Sequence, residues 1–273
     1  MMWLNGELVE NGAIDASSAG LTLGWGVFRT LGVVAGAPRF FARHFERLRE
    51  DAAAAQLDFS FSSAVVFEAL QRVLRAHSVE NGLARLTLTQ RGDGRWNSQD
   101  GVDFSILAVQ QSPVSTSARV ITSRYCVEAK RPLAGVKTTS YLPSLWAWRE
   151  AKQAGFDEAI LCVGAGFLSE GARSTLIWAK NGEIWTPSLE CGCLRGVGRD
   201  LVLEWAAANE IRCRQGRFQP ENALEADEMW LVSAASGARF VAAWHDENGV
   251  LRRDFSQHSL GEQFQKWWSL AAD

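Results

Sequence analysis

The chain has 273 residues, enough to bury the cores of two modest domains or one large one. Its net charge of −3 gives no electrostatic reason to expect nucleic acid or a membrane surface as partner, and no apolar run approaches the length that spans a bilayer. Five cysteines without the spacing of a disulfide framework, and an N-terminus without a basic-then-apolar leader, point to the reducing cytoplasm. Cys191-Gly192-Cys193 lacks the second Cys or His pair of a tetrahedral site, so no metal is expected. Twelve tryptophans imply extensive apolar burial, with a subunit contact as one place for it.

In chain order, Asn5-Gly6 within residues 1–8 is a two-residue turn signal and predicts a strand and hairpin. Glycines in Ser18-Ala19-Gly20 and Gly24-Trp25-Gly26 precede an alternating strand that contains Thr30. After a turn at residues 35–38, the stretch Phe41-Ala42-Arg43-His44-Phe45-Glu46-Arg47-Leu48 opens an amphipathic helix. Arg47 reads there either as a functional cation or as one arginine of an Arg/Glu-rich surface, and His44 reads as a packed or capping residue. A second helix over residues 62–77 leads through Asn81-Gly82 into a strand at 83–90, which ends in Arg91-Gly92-Asp93-Gly94-Arg95. Another strand follows at 103–109. The polar, Pro-containing stretch 112–117 reads as a linker between an N-terminal α/β domain, 1–111, and a larger C-terminal domain, 118–273.

Past the linker, strands near 118–122 and 159–163 flank a helix over 142–154, and Asn181-Gly182 predicts a hairpin between strands 174–179 and 183–186. Between the first strand and the helix lies Leu133-Ala134-Gly135-Val136-Lys137-Thr138-Thr139-Ser140-Tyr141-Leu142-Pro143. A lysine beside apolar residues loses hydration of its ammonium form, which favours the neutral amine that a Schiff base needs. By itself Lys137 reads as an ordinary solvated lysine at a strand end. Glu170, in Leu168-Ser169-Glu170-Gly171, taken alone suits a solvated turn. Gly196-Val197-Gly198-Arg199-Asp200 opens an apolar-periodic helix, and free amides at such an N-terminus bind phosphate without cationic side chains. An acidic turn, a strand and a loop through Ala234 and Gly237 follow, and the tail at 264–268 fits a closing amphipathic helix.

This ordered set resembles the fold-type IV, or class IV, pyridoxal-phosphate enzymes, over most of the chain. They include branched-chain and D-amino-acid aminotransferases and aminodeoxychorismate lyase. The resemblance implies an α/β fold of two domains with pyridoxal 5'-phosphate held between them, and a homodimer. Matched residue by residue, it implies that Lys137 carries the cofactor covalently and serves as the catalytic base. Glu170 would keep the pyridine nitrogen protonated so that the ring accepts electrons. Arg47, in the His-x-x-Arg-Leu element, would reach the phosphate with its planar fork. Val197 and Gly198 would donate amides to the phosphate, with a second phosphate loop at Ala234. Arg91, Arg95 and Thr30 are the matching candidates for contact with the substrate, a small amine bearing a carboxylate.

The chain also departs from the family pattern. Ser18-Ala19-Gly20 stands where relatives have Asp-Arg-Gly, Gly24-Trp25-Gly26 where they have Gly-Asp-Gly, and Thr175 where they usually have Asn. Gly198 and Ala234 lack hydroxyls that many relatives place there, at about 1 kcal/mol per net hydrogen bond lost. The compact Lys137-to-Leu142 segment and the Arg91-Gly92 loop look like those of the lyases. That implies release of pyruvate from 4-amino-4-deoxychorismate to give 4-aminobenzoate for folate synthesis. One alternative is a class IV aminotransferase of branched-chain or D-amino acids. The other is a non-catalytic binding or assembly protein on the same fold, suggested by the missing Asp, Arg, Asn and Thr positions.

Overall fold

The computed structural model describes residues 1–97, 100–112, 115–234 and 236–271. Contacts divide the chain into two units, one of Met1–Pro113 with Val136–Ser140, the other of Val114–Gly135 with Tyr141–Ala271. Of the stretch read as a linker, residues 113–114 lie outside the described residues. The segment that bears Lys137 thus belongs, by its contacts, with the N-terminal elements rather than with its neighbours in sequence.

In the first unit β1 (Met2–Leu4) and β2 (Glu7–Val9) meet through Asn5 and Gly6. Their φ values of +51° and +110° are of the kind a two-residue hairpin turn demands. One-turn helix α1 (Ala19–Thr22) follows. Next come β3 (Gly26–Val34), β4 (Ala37–Pro38), α2 (Phe41–Ala54), α3 (Ser63–Ala76), β5 (Gly82–Gln90) and β6 (Val102–Gln110). Ser62 caps α3, its hydroxyl accepting the Val65 N–H. The sheet runs β2-β1-β6-β5-β3-β4 with antiparallel pairs throughout. Alternation along β3 sends Val27, Arg29, Leu31 and Val33 to one face and Phe28 and Thr30 to the other. On the first face Val27, Leu31, Phe45, Leu48, Leu70, Leu86 and Phe104 form the core.

The second unit contains β7 (Ser117–Val127), α4 (Leu142–Gln153), β8 (Glu158–Val163), β9 (Leu168–Gly171), β10 (Thr175–Lys180) and β11 (Glu183–Pro187). It continues with α5 (Val197–Ala208), β12 (Cys213–Gly216), α6 (Pro220–Leu224), β13 (Glu228–Ser233), β14 (Gly237–His245), β15 (Leu251–Asp254) and α7 (Ser259–Leu270). Asn181 and Gly182, both at positive φ, turn β10 into β11 as the dipeptide predicts. The sheet order is β12-β11-β10-β13-β14-β7-β8-β9, with β15 added to β14. Parallel pairs join β11 to β12, β14 to β7 and β7 to β8. Trp178 and Trp244 are buried at the centre of its core with Leu176, Met229 and Leu231. Trp96 and Trp146 are exposed, so the tryptophans are not all core residues. Among the described residues no helix is long and apolar enough to cross a membrane.

Candidate active site

The first unit carries the lysine. Residues 137–139 lie along the edge of β3 that β4 leaves uncovered: Thr138 bridges Val27, the Phe28 N–H donates to the Lys137 carbonyl at 3.0 Å, and the Thr139 N–H to the Gly26 carbonyl at 2.8 Å. This added strand explains the glycines at 24 and 26. A Cβ on Gly24 would come within 2.4 Å of Ser140 Oγ, and one on Gly26 within 2.8 Å of Thr139 Oγ1. Between them, Trp25 Nε1 donates to the Ala55 carbonyl at 2.8 Å.

A further bond to this segment comes from a side chain of α2. The Lys137 N–H donates to Asp51 Oδ2 at 3.2 Å, and the same carboxylate forms a buried ion pair with Arg29. Burial lowers the Arg29 guanidinium to about 10 against the opposing pull of Asp51, and burial pushes the Asp51 carboxyl up. Arg47 lies one turn of α2 before Asp51, mostly buried, with Nε 2.9 Å from Glu50 Oε2. His44, a buried turn of the same helix, is pushed down to about 3 by burial and by the charges of Arg29, Lys137 and Arg47. It is neutral at pH 7 and packs rather than titrates.

On the other face of β3 the Lys137 amine stands 4.8 Å from the centroid of the Phe28 ring. Arg85 of β5 approaches the same ring, at 4.7 Å, and its Nε donates to Thr30 Oγ1 at 3.3 Å. Its two terminal nitrogens make no hydrogen bond or ion pair among the described residues. Arg85 was not singled out in the sequence, where it is one more polar position of an alternating strand. The register that pairs Thr30 with Arg85 is what could have found it. The arginines that were singled out are otherwise engaged. Arg91 is bound to Asp103 at 2.7 Å, and Arg95, 80% exposed, pairs with Asp93 in the turn.

The second unit carries Glu170. It stands in β9 opposite Leu161 and is buried, so the solvated turn that Ser-Glu-Gly suggests in isolation does not form. Its Oε2 accepts the Leu194 N–H at 3.0 Å, and Ser169 Oγ donates to the Cys191 carbonyl at 2.8 Å. These bonds fasten the loop that enters α5. Burial and then the negative charge of Glu170 push the Cys193 thiol up to about 12, so it is a packed thiol.

Helix α5 starts at Val197 with Gly196 as N-cap and no side-chain cap. A Cβ on Gly198 would meet Val232 Cγ1 at 2.8 Å, with the Ser233 carbonyl carbon and Ala234 N at 3.7 and 3.9 Å. The main chains at 197–198 and 233–234 are therefore neighbours. Thr175, paired with Val232 across the sheet, puts its hydroxyl 3.3 Å from where a Cβ on Gly196 would stand. The hydroxyls of Ser233 and Ser236 lie 3.0 Å apart on either side of Ala234. The loop that lacks a hydroxyl at 234 thus has two, one and two positions away. An uncapped helix start beside a second turn, glycine where a side chain would fill the space, and a buried carboxylate together fit a phosphorylated pyridine cofactor.

A profile of the amino-transferase class IV family matches residues 26–244. The chain belongs to this family. The class IV chain is a pyridoxal-phosphate-dependent enzyme, which sets aside the non-catalytic alternative. Aminodeoxychorismate lyase of Bacillus subtilis (strain 168) is 26% identical to it over 245 residues, 86% of this chain and 83% of that one. Branched-chain-amino-acid aminotransferase of Escherichia coli (strain K12) is also 26% identical, over 253 residues, 86% of this chain and 82% of that one. The crystal structure of an E. coli branched-chain amino acid aminotransferase superposes with a TM-score of 0.89 at 22% identity, covering 99% of this chain and 94% of that one. The class IV fold is common to both activities, and equal identity does not divide them.

Proposed function

We propose that this class IV enzyme is a lyase that converts 4-amino-4-deoxychorismate to 4-aminobenzoate and pyruvate, in the cytoplasm, as a homodimer, for folate synthesis. The observation that carries the reading is the polar surface beside the Lys137 amine. Arg85, Thr30 and Thr87 share a face of the sheet with Phe28 there, where a branched aliphatic substrate would call for an apolar pocket. A guanidinium with two uncommitted nitrogens suits a ring carboxylate. The compact Lys137-to-Leu142 segment and the B. subtilis relative support the same choice.

The residues that would hold pyridoxal phosphate are Lys137 through its amine, Glu170 at the ring nitrogen, and Arg47, Val197, Gly198 and Ala234 at the phosphate. When bound, the cofactor supplies a ring that draws electron density away from the substrate's amine-bearing carbon. Lys137 takes the proton from that carbon as general base. The electron pair of the C–H bond becomes the new ring double bond as the C–O bond to the enolpyruvyl group breaks, and the departing enol takes up a proton to become pyruvate. Arg85 holds the ring carboxylate, and Thr30 keeps the Arg85 fork in place.

The test is to incubate the holoenzyme with 4-amino-4-deoxychorismate and follow 4-aminobenzoate and pyruvate, with amino transfer from branched-chain amino acids to a 2-oxo acid measured in parallel. Equal formation of both products supports the lyase. Amino transfer without pyruvate release supports the second reading, a branched-chain aminotransferase, which the likeness to the E. coli enzyme favours.

A further inference from the structure

We propose that Arg29 and Asp51 are positioning residues for Lys137: the buried pair clamps the lysine's main chain against β3 and sets the charge that its amine experiences. The inference rests on the reading that Lys137 carries the cofactor. Two main-chain bonds of residues 137–139 run to the β3 backbone, and any sequence could make them; Thr139 Oγ1 adds one to the Gly24 carbonyl at 2.8 Å. The bond from the Lys137 N–H to Asp51 Oδ2 depends on one side chain of α2. That carboxylate is 4% exposed, and its ionised form persists there because Arg29, 3% exposed, is bonded to it.

Stability alone does not call for such a pair. A buried ion pair replaced by apolar side chains of similar volume commonly costs nothing or stabilises. Arg29 and Asp51 occupy the apolar side of β3 and the inner face of α2, where Val27, Leu31 and Leu48 are core, so apolar residues would suit both positions. What the pair adds is a fixed acceptor behind Lys137 and a balanced charge. The cations of this cluster are Arg29, Arg47 and Lys137, the acids are Asp51 and Glu50, and His44 among them is neutral. Asp51 lies one helical turn from Arg47, so it ties the lysine to the proposed phosphate ligand through a single turn of α2.

The experiment uses full-length holoprotein. Borohydride reduction that labels Lys137 in the wild type checks the underlying reading, and absence of that label sinks the reading and the inference with it. The pH dependence of the bound cofactor's visible band, kcat, KM and thermal unfolding are then compared in Asp51→Asn and in Arg29→Met/Asp51→Leu. Asp51→Asn leaves Arg29 charged and unpaired, so the midpoint of the band falls by about one pH unit. The apolar double variant removes that cation and restores the midpoint. It unfolds at or above the wild-type temperature, yet kcat stays down about tenfold or more at unchanged KM, because the lysine has lost its anchor. If Asp51→Asn does not fold, the double variant decides alone. Wild-type kcat in the double variant, or an unmoved midpoint in folded Asp51→Asn, overturns the proposal.

Discussion

The two functional regions are built from different materials. Around Lys137 the placement depends on charged side chains: Arg29, Asp51 and Arg47, gathered about a neutral His44 and largely buried. Around α5 it depends on main chain and empty space: an N-terminus without a side-chain cap, a neighbouring turn at Ser233 and Ala234, and a glycine at 198 that leaves room. A backbone donor survives almost any substitution that keeps the fold, whereas a charged partner does not. That is why this chain can depart from the family pattern at Gly198, Ala234 and Thr175 and still present the main-chain elements of the proposed phosphate site.

The largest expected effect is on the side-chain region. Replacing Lys137 by Ala removes the amine and the base together, so turnover should fall by about 10³-fold or more. Borohydride should then no longer label the chain at this position, while the secondary structure stays unchanged because the amine is not part of the core. A Lys137→Ala variant that keeps a tenth of wild-type turnover would show that the chemistry is carried elsewhere, and the contrast between the regions would lose its meaning.

Much of this was legible in the sequence, for identifiable reasons. Asn5-Gly6 and Asn181-Gly182 specify hairpins because few other residues accept positive φ twice in succession. The start of α5 could be read because glycines before an apolar-periodic stretch give both the cap and the clearance. Glu170 and Lys137 emerged from the order of motifs rather than from their own surroundings. The Arg29–Asp51 pair could not be read, because Arg29 in an alternating strand and Asp51 in a helix rich in Arg and Glu look like surface residues until β3 and α2 are packed face to face. Arg85 escaped for the same reason: only the strand register places it over Phe28.

A smaller effect separates bulk from chemistry in the backbone region. In Gly198→Val the Cβ alone would come within 2.8 Å of Val232 Cγ1, so α5 or β13 must move. Cofactor affinity should then drop about tenfold or more, read as the dissociation constant by fluorescence titration of the stripped protein. Ser233→Ala and Ser236→Ala remove one hydroxyl each and should weaken binding by no more than about fivefold, one net hydrogen bond apiece. If the serine variants lose more than the valine variant, hydroxyls rather than main chain hold the phosphate, and the proposed difference between the regions is reversed.

The smallest expected effect is on stability, and it belongs to the side-chain region alone. His44 has an ordinary value of 6.5 and is pushed down to about 3 in the fold. Its folded pKa is depressed, so its contribution is complete above about 6.5 and is lost as pH falls toward about 3, at up to ~1.4 kcal/mol per pH unit. Asp51 works in the opposite sense. Its carboxyl is raised in the fold, so protonation there returns some stability as pH falls through that raised value toward 3.8. The decline through His44 therefore steepens as pH falls below 6.5, and Asp51 opposes it wherever its own carboxyl takes up a proton in the fold. Between pH 7 and 5 the unfolding free energy of the wild type, measured with denaturant, should drop by roughly 2 kcal/mol through this residue. Both His44 ring nitrogens are buried without a hydrogen-bond partner among the described residues, so His44→Leu forfeits no bond and should be at least as stable at pH 7. The same variant should also flatten the pH dependence. If His44→Leu keeps the wild-type slope, the acid sensitivity originates outside the cation cluster, and the charge balance drawn for the lysine region is wrong.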